Sequence, residues 1–167
     1  MKLLIPYEKI QKRVKELAEQ INQDFEGKQV LFVGVLNGAF MFFADLLKHI
    51  KLKAQVDFVQ LQSYQNNVST GKVIFIKDLT TTNLEGGHII VVDDIIDTGL
   101  TLASLVQTLK QKNPATIKTA VLLDKPKARK VDFKADYVGF EIPPVYVRGY
   151  GLDKDGLWRN LPGIYTD

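Results

Sequence analysis

Ile10, Val14, Leu17 and Ile21 recur at three- and four-residue spacing, which sets them on one face of an opening helix, with Gly27 marking its end. Residues 30–36 (VLFVGVL) then run apolar without alternation, as a strand covered on both faces does. Phe43, Leu46, Leu47 and Ile50 return to helical spacing, and strand-like segments follow at 54–61 and 72–76. Residues 89–92 (IIVV) are a short β-branched run that predicts a central strand, although a buried helical segment would show the same periodicity. Leu102, Leu105, Val106 and Leu109 predict a third helix, and 117–123 and 137–140 read as two more strands. Strands alternating with helices give an α/β fold: a mostly parallel twisted sheet flanked by helices, with right-handed crossovers. The proline-bearing part after Glu141 is expected to join the N-terminal segment as a small hood over the strand ends. No repeat, low-complexity tract or linker breaks the 167 residues, so 1–167 is expected to form one domain with its own core.

Composition narrows the function classes. The net charge of +3 and the pI of about 9.0 would suit a nucleic-acid binder, but acidic and basic residues interleave and the clearest basic cluster, 125–130, is short. A solvated face accounts for most of it, and no nucleic-acid partner is expected. Without cysteine there is no disulfide and no thiolate metal site. The N-terminus lacks a signal peptide's apolar core, and the longest apolar stretch, 30–44, is interrupted at Asn37 and too short to span a bilayer. A cytoplasmic location with no membrane partner is therefore expected.

The candidate chemistry lies in 88–102, HIIVVDDIIDTGLTL. Asp93 and Asp94 fall at the carboxyl end of the expected strand, and Asp97, Thr98, Gly99, Leu100 and Thr101 lead into the third helix. The first turn of a helix has unpartnered N–H groups and about half a positive charge, so it holds phosphate well. Gly99 allows close backbone approach, and the threonine hydroxyls add donors. A helix cap and a turn are the plain alternative for these residues alone. Two adjacent carboxylates, however, repel unless hydroxyls, a cation or backbone donors engage them. A ribose offers two hydroxyls, and a diphosphorylated ribose brings Mg²⁺, which prefers carboxylate and phosphate oxygens. Asp97 is then free to act as a general acid or base, provided that burial near the other acids raises its pKa. Neither GxxxxGK[ST] nor GxGxxG occurs, so phosphoribose fits better than ATP or NAD.

With its following threonine, VVDDIIDTG resembles the 5-phosphoribosyl-1-diphosphate (PRPP) signature of the type I phosphoribosyltransferases. VGVLNGAFMF, LQSYQNNVSTGKV, LLDKP and DYVGFEIPPVYVRGYGLD with a later WRNLP resemble, in the same order, the hypoxanthine-guanine members. The resemblance spans nearly the whole chain. It implies Mg²⁺-dependent transfer of 5-phosphoribose from PRPP to N9 of a 6-oxopurine, a homodimer or homotetramer, and the type I phosphoribosyltransferase fold.

Residue by residue, the resemblance implies that Asp93, Asp94, Asp97, Thr98, Gly99, Leu100 and Thr101 hold the phosphoribose, with Asp97 handling a purine proton. Leu36, Asn37 and Gly38 would offer amides to pyrophosphate, at a turn that contains a non-proline cis peptide in the family, and Arg159 would reach the pyrophosphate too. Lys125 would donate to the purine oxo group, Tyr146 would stack on the ring, and Val147 would offer backbone groups to the base edge. Asp153 would touch the metal, alongside Asp93 and Asp94, and the pyrophosphate side, and would also border the purine. Ser63 and Tyr64 resemble a mobile lid. Trp158, His49 and His88 are expected to be packing or surface residues. Many family members carry a lysine or arginine at the position of Asn37, and often a lysine at that of Leu100, which here predicts a modestly raised KM for PRPP. A PRPP-sensing nucleic-acid-binding regulator and a xanthine-preferring relative remain as alternatives.

Overall fold

The computed structural model describes residues 1–62 and 73–167. Its elements run β1 (Lys2–Ile5), α1 (Tyr7–Asp24), β2 (Gln29–Leu36), α2 (Phe40–Lys48), β3 (Lys53–Leu61), β4 (Phe75–Lys77), β5 (His88–Ile96), α3 (Leu100–Lys110), β6 (Thr116–Asp124), β7 (Tyr137–Glu141), β8 (Val147–Arg148) and β9 (Ile164–Thr166). Six strands form one sheet in the order β4-β3-β2-β5-β6-β7, parallel except for β4. The remaining three pair antiparallel in the order β1-β9-β8 and make the hood.

The apolar runs of the central strands are explained by burial on both sides. Phe32, Ile90 and Leu122 turn to one face of the sheet, where they meet Ile10, Val14, Leu17 and Ile21 of α1 and Phe42 and Leu46 of α2. Leu31, Val33, Ile89, Val91 and Val121 turn to the other, under Leu102, Leu105 and Leu109 of α3. Alternate residues of one strand thus feed two separate cores. Hood residues Val147, Tyr150, Leu152 and Ile164 join the first core, which fixes the hood to the α1 and α2 side.

Two expectations need correction. The strand read at 72–76 begins only at Phe75 and ends at Lys77; its antiparallel pairing with β3, Leu61 opposite Phe75, fits the mostly parallel sheet expected. The N-terminal segment contains a strand, β1, that the pattern does not signal, because Lys2 and Leu3 are exposed and only Ile5 is buried.

Register decides where chemistry can sit. Val30 pairs with His88 and Gly34 with Val92, while Asp93 pairs with Val121 and Ile96 with Asp124. The carboxyl ends of β2, β5 and β6 therefore form one edge, the usual ligand crevice of open α/β sheets.

Candidate active site

At that edge β5 continues through Ile96, so Asp93 and Asp94 stand on the strand itself and Asp97 is the first residue beyond it. The Asp94 N–H donates to Asp93 Oδ1 at 2.9 Å, and the Ile95 N–H donates to Asp94 Oδ1 at 2.7 Å. Burial, followed by the charge of Asp94, pushes the Asp93 carboxyl well above its ordinary value. Asp94 is also pushed up by burial, against the pull of the Ile95 N–H and of Arg159. Beyond the strand, Gly99 takes φ 82° immediately before α3, a conformation open to glycine at little cost. The Leu100 N–H donates to Thr98 Oγ1 at 3.3 Å, which curls the loop around the helix start. A cavity of about 240 Å³ opens here, lined by Asp93, Asp97, Thr98, Gly99 and Thr101 with apolar neighbours. Larger cavities of about 550 and 430 Å³ lie at the opposite ends of the strands, around Lys28 and Gln29, away from this loop.

The turn after β2 closes one side of the crevice. Its Leu36-Asn37 peptide is cis. At Gly38 a Cβ would lie 1.7 Å from Asp94 Oδ2, so the missing side chain is where the carboxylate rests. Gly151 of the hood has φ 97°, and a Cβ there would lie 2.2 Å from the Gly38 carbonyl oxygen. Arg159 Nη1 donates to Gly151 O at 2.7 Å, and its Nη2 stands 3.1 Å from Asp153 Oδ1. Tyr150 donates its hydroxyl to Asp45 Oδ2 at 2.5 Å, tying the hood turn to α2. Asp94, the β2 turn and the Arg159 segment are thus packed as one unit.

On the other side, the Lys125 N–H donates to Ile96 O at 3.0 Å, and its ammonium Nζ lies 3.3 Å from Asp97 Oδ1. Lys125 is buried along its stem, whereas the Asp97 side chain is 51% exposed. The expectation that Asp97 is buried near the other acids is therefore corrected: it stands at the rim with a cation opposite. Tyr146 is exposed, donates its hydroxyl to Asp153 O at 3.0 Å and has Lys154 Nζ 5.9 Å from its ring centroid. Val147 is buried in β8 opposite Thr166.

Not every expected grouping assembles. Among the described residues no three carboxylate or histidine side chains are grouped as a metal-ligand set. The Asp153 carboxylate is held by Arg159 and by the Gly156 N–H at 2.8 Å. Ser63 and Tyr64 lie outside the described residues. His88 bonds Thr116 Oγ1 through Nδ1 at the far end of β5, and Trp158 is exposed in the hood. Three residues that shape the site gave no signal of it in the sequence. Tyr150 and Gly151 back the β2 turn across more than a hundred residues. Arg129 lies in the cluster read as a solvated face, yet its side chain is 14% exposed and bonds the Asp97 carbonyl.

Comparison with known proteins agrees with this geometry. Residues 6–155 match the phosphoribosyl transferase domain family. The chain is 49% identical over 164 residues to the hypoxanthine-guanine phosphoribosyltransferase of Bacillus subtilis (strain 168), covering 98% of this chain and 91% of that one. It is 44% identical over 167 residues to the enzyme of that name from Aquifex aeolicus (strain VF5), covering 99% and 93%. A crystal structure of a hypoxanthine-guanine phosphoribosyltransferase from Bacillus anthracis superposes with a TM-score of 0.93 at 46% identity, covering 99% of this chain and 96% of that one. With a crevice built from the Asp93–Asp94 pair, the glycine turn before α3 and the hood, and with relatives this similar over more than nine-tenths of their length, the chain belongs to the phosphoribosyl transferase family, among its hypoxanthine-guanine members.

Proposed function

We propose that this chain is a transferase that moves 5-phosphoribose from PRPP to N9 of hypoxanthine or guanine, giving IMP or GMP and pyrophosphate, a purine-salvage reaction. The observation that carries this reading is the Asp97–Lys125 pair, 3.3 Å apart at the mouth of the glycine loop. N7 and O6 sit on one edge of a 6-oxopurine. A carboxylate beside an ammonium offers that edge an acceptor for the N7 proton and a donor for the oxo group. Asp97 then takes up the purine proton as N9 bonds to C1 of the ribose, while Lys125 holds O6. Tyr146 stacks on the ring, and the backbone of Val147 meets the far edge of the base.

The phosphoribose lies over 93–101. Thr98, Thr101 and the N–H groups before and within the first turn of α3, including that of Gly99 and that of Leu100 once it leaves Thr98 Oγ1, receive its phosphate. Leu36, Asn37 and Gly38 face the pyrophosphate with Arg159, which compensates charge as the C1–O bond loosens. Asp93 and Asp94 fit a divalent cation, because each is pushed toward protonation by burial and a cation relieves that. Two carboxylates are also the number with which Mg²⁺ is held when substrate oxygens and water complete its shell. When bound, Mg²⁺ neutralises the diphosphate leaving group. Asp153, engaged by Arg159, supports the pyrophosphate side and borders the purine. The lid role of Ser63 and Tyr64, a homodimer or homotetramer, and a cytoplasmic location complete the proposal. No helix among the described residues is long and apolar enough to cross a membrane.

Incubation with PRPP, Mg²⁺ and hypoxanthine tests the reaction. Pyrophosphate and IMP should appear in equal amounts and only when all three are present. Pyrophosphate released without a nucleotide, or no turnover with either hypoxanthine or guanine, would contradict the proposal.

A further inference from the structure

Arg129 follows a single 3-10 turn, Pro126–Ala128, and points back beneath the loops that carry the site. Its Nη1 donates to Asp97 O at 2.7 Å, Nη2 meets Asp124 Oδ1 at 2.5 Å, and Nε donates to Phe133 O at 2.9 Å. The three partners come from three segments: the loop after β5, the end of β6 and the stretch before β7. Asp97 carries one purine-facing group, and Asp124 immediately precedes Lys125, which carries the other. The Arg129 and Asp124 side chains are 14% and 11% exposed, so the pair is shielded from solvent. The stem of Arg129 fills the space beneath Gly99, where a Cβ would lie 2.8 Å from Arg129 Cδ. Next to it, the Lys130 N–H donates to Thr98 O at 2.9 Å, a second tie to the same loop. Lys127 and Lys130, in the same basic stretch, are exposed.

We propose that Arg129 is a positioning residue that fixes Asp97 against Lys125 and so sets how the two meet the purine edge, an inference that rests on the base-transfer reading above. The planar guanidinium holds three acceptors at once in a fixed fork. An ammonium at this position is a compact point charge and cannot span all three. Loss of the fork lets the Asp97 loop and the β6 end move relative to one another, and displacement of reacting groups by about 1 Å costs on the order of 10²-fold in rate. The guanidinium bonds Asp97 O, Asp124 and Phe133 O and makes no hydrogen bond to Thr98, Gly99, Leu100 or Thr101, so turnover is affected more than PRPP affinity.

The test compares Arg129→Lys, Arg129→Gln and Asp124→Asn with Lys118→Ala, which breaks a surface pair with Asp136 at 3.7 Å near the opposite end of β6. Asp124→Asn keeps an acceptor and the guanidinium, so the test survives if the Arg129 variants do not fold. Well below each Tm, kcat with hypoxanthine should fall on the order of 10²-fold in Arg129→Gln and less in Arg129→Lys and Asp124→Asn, while KM for PRPP shifts by less than about threefold. The proposal is overturned if kcat stays within about twofold of wild type in the folded variants, or if Lys118→Ala lowers it as much. A wild-type protein inactive on hypoxanthine and guanine would sink the base-transfer reading itself. Amide hydrogen exchange in the ligand-free protein then decides the positioning claim: exchange at Asp97 and Lys125 should quicken in Arg129→Lys or Asp124→Asn and not in Lys118→Ala, and unchanged exchange overturns it.

Discussion

Asp97 and Lys125 stand 3.3 Å apart in the protein alone, and the carboxylate is half exposed, so solvent screens part of their attraction. A base with both an acceptor and a donor on one edge therefore displaces little when it enters between them. Asp97→Asn keeps the size and loop position of the side chain and removes its proton affinity. We expect kcat to fall by roughly 10²- to 10⁴-fold, with KM for PRPP nearly unchanged; steady-state rates at varied PRPP check this. A variant as fast as wild type would take the proton-handling role away from Asp97. At this scale the sequence was legible where residue type and neighbourhood coincide, as in 93–101. It was not legible for Arg129, since nothing local separates a lysine-rich surface stretch from one whose arginine turns inward to Asp97 and Asp124.

Elements with long local patterns could be read directly: α1 from its buried stripe, and β2, β5 and β6 from unbroken apolar runs buried on both faces. The hood could be placed but not resolved into strands. β1, β8 and β9 have only two to four residues each, and Lys2 pairs with Thr166 across nearly the whole chain, so their partners rather than their own residues determine them. The same distance hid the stacking of Gly151 on Gly38 and of Gly38 on Asp94. Gly38→Ala tests that stacking. The added methyl would meet a side-chain oxygen rather than backbone, so Asp94 swings away and the fold survives. Saturating Mg²⁺ and PRPP at about 100 times Kd should stabilise wild type by about 2.7 kcal/mol in thermal unfolding, and the variant by less than about 1 kcal/mol at the same concentrations. An equal shift would show that Asp94 need not rest at Gly38.

Across the whole molecule, two cores hold the sheet while its carboxyl edge keeps a pair of carboxylates that repel each other. That arrangement has a cost in the ligand-free state. The folded value of Asp93 is raised above the unfolded one, about 3.9, so its stabilising contribution is complete below that pH and is lost as pH rises through the folded value. Asp93→Asn should therefore raise the ligand-free Tm at neutral pH. The gain should shrink as pH falls toward 4, and stabilisation by Mg²⁺ with PRPP should vanish. Identical melting curves across the pH range would mean that the pair is not strained. The central claim is that this crevice joins phosphoribose to a 6-oxopurine. It is tested most directly by initial rates with hypoxanthine, guanine, xanthine and adenine at fixed PRPP and Mg²⁺. Lys125 can only donate, and a 6-amino group leaves it facing another donor at a cost of about 1–3 kcal/mol or more. Hypoxanthine and guanine should turn over, with kcat/KM for adenine lower by about 10- to 100-fold or more; activity with none of the four, or a preference for adenine, would contradict the account.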